Sequence, residues 1–152
     1  MKILEALHRD AILTDLTSRD KQGLIEELAA PVARVIGVSC ADLVDVLMDR
    51  ERLGSTGIGM GIGIPHGKLK DLDTLVMGFG LSRKGVDYDS LDGRPTHLFF
   101  MLITPESSTG LHLKALARIA RLLKNETFKE MLFRAKTPDD IIAVIRAEDE
   151  DF

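Results

Sequence analysis

The stretch "THLFFMLIT", residues 96–104, decides the fold. From Leu98 to Ile103 every residue is apolar. A strand with one wet face alternates polar and apolar residues, so an unbroken apolar run of this length reads as a strand buried on both faces. Pro105 ends it. A second strand is expected over 74–82, "TLVMGFGLS", and "DYDSLDGRP" between the two reads as turn and loop. Helical periodicity surrounds them. Residues 20–36 place Leu24, Leu28, Val32 and Val35 on one stripe, with Ser18 as cap and a kink or break expected at Pro31. Ser39 and Asp42 open a helix that runs through Arg50 and Glu51 and stops near Gly54. Residues 110–124 form the clearest helix, capped by Thr109, with His112, Leu116, Ile119 and Leu123 on one face. Two shorter helices follow, over 126–135 and from Thr137-Pro138 onward, before an acidic tail, "AEDEDF", expected to fray. Strands alternating with helices favour an α/β or α+β layered domain. No repeat or linker divides the chain, which reads as one domain over residues 1–152.

The bulk properties exclude several classes. At 152 residues, with 45% hydrophobic and 29% charged, the chain can bury a core. A net charge of −4 argues against nucleic-acid binding by bulk charge. No run approaches the ~18 apolar residues of a membrane span, and the N-terminus lacks a signal-peptide pattern. The single Cys40 has no internal disulfide partner, which fits a reducing cytoplasm.

The unusual segment is "GSTGIGMGIGIPHGK", residues 54–68. Gly57, Gly59, Gly61 and Gly63 alternate with Ile58, Met60, Ile62 and Ile64. As one strand, this segment would carry side chains on one face and bare backbone on the other. Glycine in a strand costs about 0.5–1 kcal/mol relative to alanine. The bare face then serves either close packing or a hinge within the fold, or the close approach of a ligand or partner. The dinucleotide pattern G-x-G-x-x-G fails in each register, and the P-loop pattern fails at Ile62 and Leu69. His66 is far in sequence from His8, His97 and His112, and no C-x-x-C or H-x-x-x-H exists, so no metal site is indicated.

His66 follows Pro65 and is flanked by Gly67, a setting that exposes an imidazole to a large partner. Neutral imidazole is a competent nucleophile: one nitrogen attacks while the other is held by a hydrogen bond. A phosphoryl group on it needs donors. His112, in the first turn of its helix, is one candidate, though taken alone it reads first as a core histidine at a helix end. Arg50, Ser55 and Thr56 are further candidates, against the readings of a solvated helix-end arginine and ordinary turn hydroxyls.

"DRERLGSTGIGMGIGIPHGK" (49–68), "YDSLDGRPTHLFFMLITP" (88–105) and "GLHLKALARIARLL" (110–123) together closely resemble the fructose/mannitol-type enzyme IIA domains of the bacterial sugar phosphotransferase system. The likeness spans roughly residues 3–147 and is greatest to the stand-alone nitrogen-type member. It implies an α/β fold, a central mixed sheet flanked by helices on both sides. It also implies a phosphotransferase component that needs neither metal nor nucleotide. By the motif match, His66 would accept a phosphoryl group, on Nε2, from a phosphohistidine carrier protein (HPr or its nitrogen-branch counterpart). His112 would hydrogen-bond that group, and Arg50 would be the active-site arginine. Ser55 and Thr56 remain supporting donors, and His97 is left structural. Met60 stands where many relatives carry a polar residue, commonly Asn, so no contact is carried over to that side chain. Two outputs follow: phosphorylation-dependent regulation of proteins such as potassium-transport components or sensor kinases, or sugar transport with transfer to a cysteine of an enzyme IIB. A domain whose histidine is only structural is the third reading.

Overall fold

The apolar run becomes β6 (Thr96–Pro105), and the rest of the sheet assembles on it. The computed structural model describes Met1–Phe152. β5 (Val76–Val86) pairs antiparallel with β6, placing Phe79 opposite Phe100 and Leu81 opposite Leu98. β1 (Leu7–Leu13) lies parallel on the outer side of β5. The other side of β6 is shared by two short parallel segments. β3 (Ile62–Gly63) pairs with Leu98 and Phe99, and β4 (His66–Leu69) pairs with Leu102 through Pro105. β2 (Gly57–Gly59) completes a mixed six-stranded sheet of order β1-β5-β6-β3-β2, with β4 also on β6.

Helices cover both faces. α2 (Lys21–Ile36) and α3 (Cys40–Arg52) pack on one side, where Phe99, Met101 and Ile103 point. On the other lie α4 (Thr109–Leu123), α5 (Glu126–Arg134), α6 (Pro138–Glu148) and the short α1 (Ile3–Ala6), where Leu98, Phe100 and Leu102 point. Successive β6 residues therefore enter opposite cores, which is why the run cannot alternate with polar residues.

Several local expectations are corrected. α2 is capped by Asp20, whose carboxylate accepts from the Gly23 N–H at 2.8 Å; Ser18 instead donates to Glu27. The helix continues through Pro31 because Leu28, Ala29 and Val32, all fully buried, bracket it. Burying side chains of the Leu and Val class contributes about 1.5–3 kcal/mol each, against about 3 kcal/mol for an interior proline. Thr109 lies inside α4, and Ser108 occupies the cap. The acidic tail is tied down: the Asp149 carboxylate accepts from the Ile3 and Leu4 N–H groups at 2.8 and 2.9 Å, capping the N-terminus of α1.

The glycine stretch is a hairpin rather than one strand. β2 and β3 pair antiparallel around the two-residue turn Met60-Gly61, where both residues have positive φ, 57° and 78°. Its bare positions are used inside the fold. A Cβ at Gly63 would lie 2.9 Å from Phe99 Cδ1, and one at Gly57 would lie 3.0 Å from the Tyr88 ring and the Ser90 backbone. At Gly67 the neighbour is Val46 of α3, at 2.7 Å. Close internal packing, not the approach of a partner, accounts for these glycines.

Candidate functional site

Pairing of β4 with β6 sets His66 beside Leu102 and Lys68 beside Thr104, on the face covered by α4. The backbone at Ile64 turns back so that its carbonyl accepts from His66 Nδ1 at 2.7 Å. That bond places the ring proton on Nδ1 and leaves the lone pair on Nε2. Arg50 Nε donates to the same Nε2 at 3.2 Å, and its Nη1 donates to the Gly54 carbonyl at 2.9 Å. Arg50 comes from the last turn of α3, one residue before the buried Glu51.

His112 enters from the first turn of α4, its ring centroid 5.3 Å from that of His66. Its Nδ1 lies 2.6 Å from Thr104 Oγ1, a fully buried hydroxyl at the end of β6. With that hydroxyl donating, the His112 proton resides on Nε2. Burial, more than any charge, pushes the His66 pKa down, and Arg50 adds to the shift. Burial likewise lowers His112 to about 4, assisted by His66 and Lys68. Both imidazoles are therefore neutral at pH 7. The pair supplies one nucleophilic nitrogen and one N–H donor, with a guanidinium between α3 and β4 to balance negative charge.

A depression of ≈ 220 Å³ opens beside His66, lined by Arg50, Ile58, Ile64 and Leu116 among others. Ser55 and Thr56 line it too, but their hydroxyls are committed elsewhere. Thr56 Oγ donates to Glu51 at 2.6 Å, and Ser55 Oγ donates to the Tyr88 carbonyl at 3.1 Å. Both hydroxyl protons are thus engaged within the fold beside the depression. His97 lies apart from the pair: its Nδ1 donates to the Ser82 carbonyl, and its ring packs on Phe133. No third His, Cys, Asp or Glu joins His66 and His112 in a metal-ligand set.

The sequence reading missed four members of the site region. Thr104 orients His112, and Lys21, Glu51 and Tyr88 form a buried polar cluster behind Arg50. Two signals were available. Glu51 continues the Leu43–Leu47 stripe at a spacing of four, so its charge falls on the buried face of α3. Thr104 is the one hydroxyl that closes an otherwise apolar buried run.

Comparison with known proteins shows the family and the fold. The family model for the phosphoenolpyruvate-dependent sugar phosphotransferase system, EIIA 2, matches residues 5–148. A nitrogen regulatory protein of Bradyrhizobium diazoefficiens is 38% identical over 145 residues, covering 95% of each chain. The fructose-specific EIIABC component of Bacillus subtilis is 37% identical over 151 residues; the match spans 99% of this chain but 24% of that larger protein. The crystal structure of the nitrogen regulatory protein IIA-Ntr from Neisseria meningitidis superposes with a TM-score of 0.87 at 33% identity, covering 93% of this chain and 97% of the other. No helix is long and apolar enough to cross a membrane. A mixed sheet between helical layers, a histidine pair at its β4 edge and a family match along almost the whole chain place the protein in the EIIA type-2 family of the phosphotransferase system.

Proposed function

We propose that the protein is a histidine phosphocarrier that accepts a phosphoryl group on His66 Nε2 from the phosphohistidine of an HPr-like carrier in the cytoplasm. The observation that carries this reading is the 2.7 Å contact between His66 Nδ1 and the Ile64 carbonyl: a carbonyl only accepts, so the proton is assigned to Nδ1 and the lone pair of Nε2 is the one presented beside Arg50. In the step, the Arg50 Nε–H leaves Nε2 for a phosphoryl oxygen, the freed lone pair forms the new P–N bond as the donor's P–N bond breaks, and the bonding pair returns to the donor imidazole. Nδ1 keeps its proton throughout. Transfer between two histidines is nearly balanced, so positioning and charge stabilisation dominate. Arg50 neutralises the phosphoryl oxygens, and His112 donates Nε2–H to one of them. No metal or nucleotide takes part in the proposed step.

The output is phosphorylation-dependent regulation of partner proteins, such as potassium-transport proteins or sensor kinases. Supporting this, the chain spans almost all of the nitrogen regulatory relative. A phosphoryl group adds about −1.5 to −2 charges near neutral pH. At His66 that charge enters a depression also lined by the partly exposed Ile58, so the two states present different surfaces. A second reading is sugar transport, with the phosphoryl group passed to a cysteine of an enzyme IIB. The 37% identity to the fructose-specific component favours it.

Intact-mass spectrometry at neutral pH, with phosphoenolpyruvate, enzyme I and the histidine carrier, tests the carrier role. One added phosphate on the wild type and none on His66→Ala is the expected result. An unmodified wild type would leave His66 structural. Offering purified IIB and purified regulatory partners to both phosphorylation states then separates the two outputs.

A further inference from the structure

We infer that Glu51 is a positioning residue for Arg50 and, through it, for His66; this rests on the reading of His66 as phosphoryl acceptor. Adjacent residues on a helix project about 100° apart. At the end of α3, Arg50 reaches outward to β4 while Glu51 turns into the core below the Leu43–Leu47 stripe. Its side chain is only 2% exposed. A carboxylate so placed is costly unless charge and hydrogen bonds compensate it. Here the compensation is complete: Lys21 Nζ lies 2.9 Å from Oε1, the Thr56 N–H donates to Oε1 at 3.0 Å, and Thr56 Oγ donates to Oε2. Burial pushes the Tyr88 phenol pKa up, so its hydroxyl stays protonated and donates to Thr56 Oγ1 at 2.9 Å. The chain of donors runs Tyr88 to Thr56 to Glu51.

The geometric consequence falls on Arg50. Two hydrogen bonds donated by Thr56 to the Glu51 carboxylate clamp residue 56 against the helix end, and residues 53–55 must close into a tight loop. Within that loop the Gly54 N–H donates to the Glu51 carbonyl at 3.0 Å, fixing the Gly54 peptide. The Gly54 carbonyl takes one guanidinium N–H of Arg50 at 2.9 Å, and the Nε–H is left directed at His66 Nε2. A leucine at 51 would extend the apolar stripe but offer nothing to the Thr56 N–H. Glu51 thus sets the loop that aims the guanidinium, without itself meeting the phosphoryl group.

The test is a double-mutant cycle on the rate of phosphoryl transfer from the phosphorylated carrier, with Arg50→Ala, Glu51→Gln and the double variant. Loss of aim of this kind slows transfer by ~10–100-fold. Glu51→Gln should show that loss in the Arg50 background and almost none once Arg50 is gone, because its effect runs through Arg50. Lys21→Met/Glu51→Gln removes both buried charges together, so no charge is stranded, and should reproduce the slow rate. In the wild type, the Arg50 Nε–H should give a protected ¹⁵N resonance that Glu51→Gln moves to the solvent-exposed position. Equal rate losses with and without Arg50, or an unchanged Arg50 resonance, would overturn the inference while leaving the carrier reading intact. Failure of both Glu51 variants to fold would also overturn it, assigning Glu51 to the core alone. A wild type that accepts no phosphate would instead remove the carrier reading itself.

Discussion

The imidazoles of His66 and His112 face each other with ring centroids 5.3 Å apart and planes inclined by 57°, each held by an oxygen at its Nδ1. Two elements distant in sequence, β4 and the first turn of α4, converge to make this pair because both pack on the end of β6. Fixing both Nδ1 atoms leaves both Nε2 atoms for chemistry, one as lone pair and one as N–H.

The division of labour predicts unequal losses. His66→Ala should abolish phosphorylation. His112→Ala removes one preorganised donor, and such a loss slows transfer by about 10²–10³-fold. Stopped-flow or quench-flow transfer from the phosphorylated carrier measures both. A His112→Ala rate equal to wild type would remove His112 from the site.

Acid should destabilise the fold through the same pair. Both histidines have lowered pKa values in the folded state, His112 to about 4, so the unfolded chain binds protons first as pH falls. Their stabilisation is full above the unfolded histidine value of about 6.5 and is lost as pH falls from there toward 4. Thermal melts across this window should show a falling midpoint, and His112→Gln should flatten the fall.

The hairpin tip carries removable strain. Met60 has φ 57° and is half exposed, so its side chain contributes little burial while its backbone is left-handed. That conformation costs a non-glycine residue about 1–2 kcal/mol, and Asn tolerates it better. Met60→Asn should raise the melting midpoint by about 2–4 °C per kcal/mol recovered. A lower midpoint would place the side chain in a packing role.

Gly67→Ala should act in the opposite direction. The added methyl would meet Val46 of α3 at 2.7 Å, directly behind His66. Overpacking of this kind costs about 1–3 kcal/mol. Denaturant unfolding should show the loss, and transfer to His66 should slow with it as β4 is pushed from α3.

The features written in local patterns were legible before the structure. The unbroken apolar run of β6, the amphipathic stripe of α4 and the Ser39 cap at Asp42 each depend on residues within a few positions of one another. The Pro65-His66 dipeptide with its flanking glycines pointed to His66, local context raised His112 and Arg50 as candidate donors, and the family resemblance gave those two their roles. What the sequence could not show depended on tertiary contact. Alternating glycines fit a strand as well as a hairpin until Phe99, Tyr88 and Asp92 are seen against them. Ser55 and Thr56 had the right chemistry for a phosphate, but Glu51 and the Tyr88 carbonyl claim their hydroxyls first. The tail reads as a frayed acidic end until Asp149 meets the bare N–H groups of α1.

The central claim, that His66 Nε2 is the acceptor, is tested most directly by NMR on protein with ¹⁵N-labelled histidine, phosphorylated through the carrier chain. Phosphorus coupled to Nε2 of His66, with Nδ1 still protonated and bonded to the Ile64 carbonyl, is the predicted result. Coupling to Nδ1 of His66, or to either nitrogen of His112, would contradict it.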